Sequence, residues 1–464
     1  MVVFYIFLIT FVASGLGAVI PPSNTSHFDG QINLERIVCG RVWITVHTLE
    51  VRQSTNTILD AIELNWDYTG CISAWRQIAL FDFQPGATSW HDALVKNDTI
   101  MQTGRFVTNV PLGDVNLPGG WQNGQGTRGT HCLWPWIGGG ATNVEIINCL
   151  KIQPTWMQDN ADLINNLRLG ELALPGTHNA GSWRFNSPIS DAARDLFVLC
   201  QDRSIWSQLV HGIRYLDFRA SYYNTYPNED DRYWLNHNFV RVRPLVPLLR
   251  EIRQFLDSTR ELVILHFHQF PVGFEENNVL NRNVHAGLLR IIERELGPHI
   301  ARAHDFPWTA GSRGPVLSSF INANRRLIVP YNQDRIVSEN NWLFPQLPHL
   351  WANTNNVDEL FRYLDNQLQT QNPRPTSRNP MHSAMAQTTL TATDIALFRS
   401  SIRQAANDVN HRVTWRLLNQ WRRTSNIIAS DFFLGNDVID MSIIVSRERG
   451  LQKVEMADTN DETI

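Results

Sequence analysis

Two patterns of apolar and polar residues divide this chain. Between residues 30 and 155, short stretches alternate apolar and polar positions, and clusters of Gly, Pro and Asn separate them. RVWITVHTLEV, AIELNWDY and TGRFVTNVPL are examples. A period of two is typical of strands that bury one face. We therefore predict an N-terminal antiparallel β-sandwich over residues 25–155.

From about residue 160, apolar runs alternate with segments of helical spacing, such as LVPLLREIRQFLDS at 245–258. The predicted strands are 171–176, 212–219, 233–238, 262–270, 327–332, 349–353 and 426–433. The predicted helices are 203–211, 245–258, 281–296, 357–369 and 393–407. Repeated strand–helix units predict an α/β fold, a TIM-type (β/α) barrel over residues 160–450. A doubly wound open sheet is the alternative.

Composition supports this division. The chain has 464 residues, of which 43% are hydrophobic, and this is enough to bury two cores. The net charge of −4 creates no strong field that would attract nucleic acid, so we expect no nucleic-acid partner. Residues 451–464 are predicted to form a polar tail.

The N-terminus indicates secretion. Residues 1–18 combine an apolar run with small residues and are predicted to be a signal peptide, with a membrane anchor as the alternative. The run is shorter than the roughly 20 residues of a spanning helix, and we expect no transmembrane segment. Sequons at Asn24 and Asn97 fit an extracellular glycoprotein.

The positions of the cysteines also fit secretion. Cys39, Cys71, Cys132 and Cys149 all precede residue 150. In an oxidising compartment they allow two disulfides, whose pairing the sequence leaves open. Cys200 is then left as a buried free thiol.

Candidate functional residues lie at the predicted strand ends, where barrel enzymes carry their chemistry. His178 follows the first strand in LALPGTHNAGS, and Gly181 and Ser182 leave room for a ligand. A lone histidine at such a position is more often structural, so a catalytic role requires partners. The second strand, GIRYLDFRA, places Asp217 and Arg219 on one face.

A second histidine completes a catalytic pattern. His237 ends the third predicted strand, YWLNH. Cleavage of a phosphodiester needs one group that takes a proton from the attacking hydroxyl and another that protonates the leaving oxygen, and two imidazoles suit both tasks. Arg219 would neutralise the phosphate between them. A structural ion pair of Asp217 with Arg219 is the alternative reading.

Two later strands add polar candidates. Asp431 follows the last predicted strand in NIIASDFF, where a helix cap or a surface acid is the alternative. His266 and His268 share one face of LVILHFHQF. We expect His266 in the barrel interior and His268 nearer the mouth.

LALPGTHNAGS, GIRYLDFRAS and LVILHFHQF together resemble the X-domain of phosphatidylinositol-specific phospholipase C (PI-PLC). The resemblance covers roughly residues 160–450 and is strongest to the small X-domain-containing proteins, which are similar to the bacterial secreted enzymes. It implies that His178 is the general base, held by Asp431, and that His237 is the general acid. The implied substrate is a phospholipid, phosphatidylinositol or a glycosylated form, at a membrane surface.

The resemblance also bears on metal use. Calcium-dependent relatives carry an acid-x-acid pair on the second strand, whereas this chain has Asp217 followed by Arg219, as bacterial enzymes do. We therefore expect calcium-independent catalysis without a cofactor or metal. Asn179, where bacterial relatives have Asp, and His268 would contact substrate, and Asp217 would support His237. The usual Gly after the second histidine is Asn238 here.

Two other functions remain open. The departures at Asn179 and Asn238 are compatible with a protein that binds phosphoinositol headgroups or glycans and catalyses poorly. Other barrel phosphodiesterases, such as glycerophosphodiesterases and sphingomyelinase D, need acidic metal ligands on the second strand. Arg219 argues against that class.

Overall fold

The computed structural model describes residues 40–52, 57–71, 76–99, 101–183, 196–308, 312–370 and 380–461. The predicted signal peptide, the sequon at Asn24 and Cys39 lie outside these residues.

The N-terminal part consists of antiparallel sheets, as its alternating pattern predicts. Its strands are β1 (Arg41–Val46), β2 (Val51–Arg52), β3 (Thr57–Ile58), β4 (Ala61–Asp67), β5 (Arg76–Phe81), β6 (Val95–Thr99), β7 (Thr103–Pro111), β8 (His131–Gly140) and β9 (Ile146–Ile152). One sheet has the order β1-β4-β7, another has the order β6-β5-β8-β9, and β2 pairs with β3. A Cys132–Cys149 disulfide joins β8 to β9, Cys71 is also disulfide-bonded, and Cys200 is free and buried, as predicted.

These sheets share an apolar core with the rest of the described chain. Ile44, Leu64 and Ile78 from the sheets belong to the same buried cluster as Leu249 and Phe255, which lie in the predicted helix 245–258. The predicted sandwich region therefore packs directly against the second part of the chain.

A buried ion pair reinforces this contact. The Arg214 guanidinium lies 2.6 Å from the Glu261 carboxylate, and neither side chain is exposed. Arg214 also donates to the Pro154 carbonyl, and Glu261 accepts from the Met157 amide. Because both charges are fully bonded, the pair fixes the segment that leaves β9 against the neighbouring strands.

The second part contains a curled parallel sheet. Its strands and the hairpins attached to it are β10 (Leu174–Thr177), β11 (Tyr215–Tyr222), β12 (Tyr233–His237), β13 (Val240–Pro244), β14 (Val263–Gln269), β15 (Glu275–Glu276), β16 (Val279–Leu280), β17 (Leu327–Ile328), β18 (Pro330–Tyr331), β19 (Phe344–Pro345), β20 (His349–Leu350), β21 (Ser383–Ala386) and β22 (Ile427–Ser430). The parallel order is β19-β18-β14-β11-β10-β22-β21-β20.

This order decides between the two predicted architectures. Starting at β10, the strands follow one another in chain order and return through β22, as they do around a barrel. The two end strands, β19 and β20, are joined by residues 346–348 alone, so the sheet must curl until its ends meet. Among the described residues, no backbone hydrogen bonds pair β19 with β20, so the sheet is open between these two strands. The fold is α/β and TIM-like, and the doubly wound alternative is wrong.

Helices follow most of the strands. They are α1 (Trp156–Asp159), α2 (Ala161–Ile164), α3 (Ile205–His211), α4 (Leu245–Ser258), α5 (Arg282–Leu296), α6 (Leu317–Asn322), α7 (Asp334–Glu339), α8 (Val357–Asp365), α9 (Ala392–Ala396), α10 (Ile402–Asn419) and α11 (Val438–Asp461). Helix α4 has the predicted bounds because its apolar face is buried along its whole length. Among the described residues, no helix has the length and apolar character needed to cross a membrane.

Two element predictions are wrong. The predicted helix 393–407 is interrupted, because Phe398 adopts a left-handed φ of 49° and Ser401 caps α10. The predicted third barrel strand, 233–238, is β12, which pairs antiparallel with β11 and forms a hairpin with β13. The link from β11 to β12 is too short for the crossover that parallel strands require.

Candidate active site

His178 and Asp431 meet because their strands are neighbours. β10 and β22 pair in parallel with Thr177 opposite Ser430, so the residues that follow each strand lie side by side. His178 Nδ1 donates to Asp431 Oδ1 at 2.7 Å, and both side chains are more than 90% buried. The carboxylate therefore fixes the tautomer in which Nε2 carries the free lone pair.

Arg219 faces that lone pair. Its Nη2 lies 2.5 Å from His178 Nε2. Since a guanidinium can only donate, Nε2 accepts, and His178 is held as a neutral imidazole. This is the protonation state that a general base needs before it reacts.

Asp217 is buried beneath these groups and is charged. Its Oδ2 accepts from the Asn179 amide at 2.9 Å and lies 3.9 Å from Arg219 Nε. Its Oδ1 lies 3.5 Å from His268 Nδ1. Burial alone would raise the pKa of Asp217, but the nearby His268, Arg219 and His349 outweigh it and hold the pKa well below its usual range.

His237 reaches the same cavity from outside the parallel sheet, at the end of β12. Burial lowers its pKa to about 3, and the charge of Arg219 lowers it further. The free protein therefore holds His237 neutral at neutral pH. Its support by Asp217 remains a prediction, because the recorded side-chain partners of Asp217 are Arg219 and His268.

The chain turns sharply after each of three candidate catalytic residues. Asn179, Asn238 and Phe432 directly follow His178, His237 and Asp431, and their φ angles are 42°, 50° and 47°. Among residues with a side chain, asparagine tolerates this left-handed region best. The backbone conformation at position 238 is therefore one that asparagine can adopt.

These groups line a cavity of about 210 Å³. Its polar wall contains His178, Arg219, His237, His268, His349 and Asp431. Its apolar wall contains Phe197, Trp351, Leu390, Ile395 and Ile402. A polar floor beneath an apolar mouth suits a ligand that has a charged headgroup and an apolar remainder.

Three sequence expectations about the first loop need correction. The Asn179 side chain is directed to Cys200 Sγ, 3.9 Å away, and is not part of the cavity wall. A side chain at Gly181 would meet Leu235 Cδ1 at 2.1 Å, so this glycine accommodates β12 rather than a ligand. Ser182 is buried and donates to the Val198 carbonyl.

Sequence reasoning missed several residues of the site. Gln201 is fully buried and donates to the carbonyls of His178 and Ser430, which fixes both strand ends. Cys200 lies in the cavity wall, where burial raises the pKa of its thiol well above the ordinary value. His349 stacks on His268 with ring centroids 3.7 Å apart. Its position in the predicted strand 349–353 was the available signal.

His266 lies in the barrel interior, as expected. It is fully buried, and its Nδ1 lies 2.9 Å from the Tyr215 hydroxyl, which also lies 2.7 Å from His349 Nε2. Among the residues that the structure describes, two groups of side chains have the spacing of metal ligands: His178 with Cys200 and Asp431, and Asp217 with His268 and His349. In the first group, the histidine and the carboxylate already bond each other.

Comparison with known proteins confirms the family resemblance. A search against family models finds no match. The chain is 32% identical over 157 residues to the variant-surface-glycoprotein phospholipase C of Trypanosoma brucei brucei, covering 28% of this chain and 42% of that protein. It is 24% identical to the human PI-PLC X domain-containing protein 1, covering 47% and 69% of the two chains. The mouse PI-PLC X domain-containing protein 2 is 24% identical over 62% of this chain and 86% of its own.

Solved structures give the same kind of neighbour. The phosphatidylinositol-specific phospholipase C of Listeria monocytogenes matches with a TM-score of 0.46 and 19% identity, over 64% of this chain and 98% of its own. A mutant of the Staphylococcus aureus enzyme matches with a TM-score of 0.45 and 14% identity, over 63% and 97%. The match to the trypanosome protein spans less than half of that protein's length.

Proposed function

From the similarity to PI-PLC X domain-containing proteins, we propose that this chain is a secreted phosphodiesterase of the phospholipase C type. It cleaves phosphatidylinositol or a glycosylated form of it. The observation that carries the proposal is the alignment of Asp431, His178 and Arg219 at 2.7 Å and 2.5 Å in the wall of one cavity with His237. The trypanosome relative, named for a glycoprotein substrate, favours including the glycosylated lipid.

The mechanism follows from the protonation states. When the bound phosphate draws the Arg219 guanidinium from His178 Nε2, this nitrogen takes the proton of the inositol 2-hydroxyl, and that oxygen attacks phosphorus. The bond from phosphorus to the diacylglycerol oxygen breaks, and His237 protonates the departing oxygen. The products are a cyclic inositol phosphate and diacylglycerol. Asp431 stabilises the imidazolium that forms on His178.

His237 must be protonated to act as the acid. Its pKa of about 3 belongs to the free protein, where Arg219 repels a second positive charge. A bound phosphodiester brings a negative charge that pairs with Arg219, so substrate binding raises the pKa of His237. Protonation of the acid is thereby coupled to occupation of the cavity.

Arg219 takes the electrostatic role that calcium has in other relatives. Its permanent charge lies in the cavity wall beside Asp217, where it neutralises the phosphate and repels a calcium ion. We therefore propose catalysis that needs no calcium and no cofactor.

The cavity mouth fits a lipid surface. Phe239, next to the cavity residue Asn238, is 81% exposed, and Trp351 in the wall is 43% exposed. Phe398 is 68% exposed and packs on the wall residue Phe197. Apolar side chains around a polar cavity would enter the interface while the headgroup reaches His178.

A headgroup-binding protein with little turnover is the second candidate, favoured by the low pKa of His237. One experiment separates the two functions. Vesicles containing phosphatidylinositol are incubated with wild type, His178→Ala or the surface control His304→Ala, and phosphorus NMR follows the products. We expect a cyclic phosphate from wild type and from the control, and a loss of about 10³-fold or more in His178→Ala.

The same assay with a chelator tests metal independence. Unchanged turnover in chelator is expected. Complete loss of turnover would refute the calcium-free mechanism, and equal background rates in wild type and His178→Ala would favour the binding protein.

A further inference from the structure

A cluster of possible metal ligands lies at the floor of the cavity. Asp217, His268 and His349 come from β11, β14 and β20, three separate strands of the barrel. Each offers one ligand atom, and these three atoms all lie within 4.8 Å of one another. Asp217 is fully buried, and both histidines line the cavity.

Two facing polar atoms of this cluster make no hydrogen bond within the described part of the protein. Asp217 Oδ1 and His268 Nδ1 are buried, and neither makes a hydrogen bond. They lie 3.5 Å apart, close to the separation of neighbouring ligand atoms around a tetrahedral ion with bonds of about 2.0–2.2 Å. A buried carboxylate oxygen and imidazole nitrogen without hydrogen bonds are costly unless something binds them.

Neighbouring groups hold the ligands in place. The Tyr215 hydroxyl lies 2.7 Å from His349 Nε2, and the rings of His349 and His268 are stacked. The Asn179 amide bonds the other carboxylate oxygen of Asp217. Such outer contacts orient ligands and limit the entropy lost on binding.

We propose that Asp217, His268 and His349 form a binding site for a divalent transition-metal ion of the Zn²⁺ class. Two imidazoles and one carboxylate suit such ions, whereas Ca²⁺ prefers an all-oxygen set. The fourth position opens into the cavity. The site differs in ligand chemistry and in metal from a calcium site.

The consequence for activity rests on the proposed function. A dication bound to Asp217 would lie beside Arg219 and fill the floor on which the headgroup must settle. Bound metal therefore inhibits turnover reversibly, and a chelator restores it. The repulsion from Arg219 also makes binding weaker than at a closed four-ligand structural site.

The competing explanation is a simple ion pair between Asp217 and a protonated His268, which the 3.5 Å distance also allows. That pair predicts no metal affinity and no role for His349. Binding measurements on a His349 variant separate the two explanations.

The test uses the untagged full chain, so that no affinity tag supplies histidines. Titration with Co²⁺ is followed by its visible absorption, and Zn²⁺ and Ca²⁺ are added as competitors. Wild type and the surface control His304→Ala should show the strong absorption of four-coordinate Co²⁺, which Zn²⁺ abolishes and millimolar Ca²⁺ does not. His349→Ala and the size-conserving His268→Gln should bind at least about tenfold more weakly.

Circular dichroism establishes that each variant is folded. Equal Co²⁺ binding by wild type and both variants, or no binding by folded wild type, would overturn the site. Turnover of phosphatidylinositol with and without Zn²⁺, compared within each variant, tests inhibition. If wild type binds Co²⁺ but its turnover is not reduced by Zn²⁺, the inhibitory role is overturned. If wild type binds Co²⁺ but has no turnover at all, the proposed function is refuted and the metal site is not.

Discussion

At the scale of single residues, the proposed role of His237 is the most demanding, because it requires a protonated imidazole in a buried position. A general acid must hold a proton, yet burial and the charge of Arg219 lower the pKa of His237 to about 3 in the free protein. Burial and the same Arg219 that is proposed to stabilise the phosphate therefore keep His237 unprotonated in the free protein. If the proposed mechanism holds, we expect phosphate binding to raise the pKa of this ring.

Replacing Arg219 by Gln removes the nearest permanent charge and should raise the pKa of His237 toward the ordinary value near 6.5. Burial opposes a full return. Titration of the histidine ring protons by NMR measures the change, with Arg250→Gln, a surface substitution, as the matched control. Adding inositol phosphate to wild type should shift the same resonance in the same direction. A pKa of His237 that responds to neither change would contradict the coupling.

Most of the site residues could be named from the sequence because strand ends in a barrel converge, although His237 reaches the cavity from a hairpin outside the parallel sheet. His178, Arg219, His237, His268 and Asp431 all reach one cavity wall. Their catalytic roles remain predictions.

The direction in which each side chain points could not be predicted from the sequence. Asn179 is adjacent to His178, but its left-handed backbone turns the amide toward Cys200. His349 lies at the start of the predicted strand 349–353, and this position alone did not indicate that its side chain lines the cavity. Its strand is in fact two residues long.

At the scale of elements, the turns after β10, β12 and β22 decide where the chemistry lies. Each places a residue with positive φ directly after a candidate catalytic residue. Such a conformation costs about 1–2 kcal/mol for a residue with a Cβ atom, and more for a β-branched one. The residue type at each of these turns therefore affects the orientation of the candidate catalytic residue that precedes it.

Asn238 offers a direct test of this idea. Asn238→Gly should retain turnover, because glycine adopts a φ of 50° freely. Asn238→Val should lose about 1–2 kcal/mol of stability and much of its turnover, because the strained turn displaces His237. Val240→Thr, an exposed β-branched exchange in the same hairpin, is the control. Turnover in Asn238→Val equal to that of wild type would show that the turn does not position the acid.

Whether a segment forms a helix or a strand was predictable where the repeat of apolar positions was long and uninterrupted, as in α4. Boundaries failed where tertiary pairing overrode the local pattern. The apolar run of β12 fits a barrel strand equally well, and its antiparallel pairing with β11 becomes evident only from the short link between them. The strand β21, buried on both faces, has only four residues and too little pattern to detect.

At the scale of the whole molecule, several histidines are buried without charge. Burial lowers the pKa of His211 to about 4 and that of His266 to about 3. In the unfolded chain both have values near 6.5. Between these values the unfolded state binds protons that the folded state does not, so stability falls as the pH decreases through this window.

We expect the free energy of unfolding to decrease between pH 7 and pH 5, by up to about 2 kcal/mol for each such histidine. Urea denaturation at constant ionic strength measures it. His211→Gln, which removes one titrating group outside the cavity wall, should reduce the slope. A free energy that is constant over this range, or a slope unchanged in His211→Gln, would contradict the assignment.

The pairing of β10 with β22 has a consequence for biosynthesis. His178 and Asp431 are 253 positions apart, and they become neighbours only when the last strand of the barrel joins the first. A nascent chain still short of residue 431 has its histidine but not the carboxylate that orients it. The chain must therefore be synthesised beyond residue 431, and β22 must pair with β10, before Asp431 can orient His178.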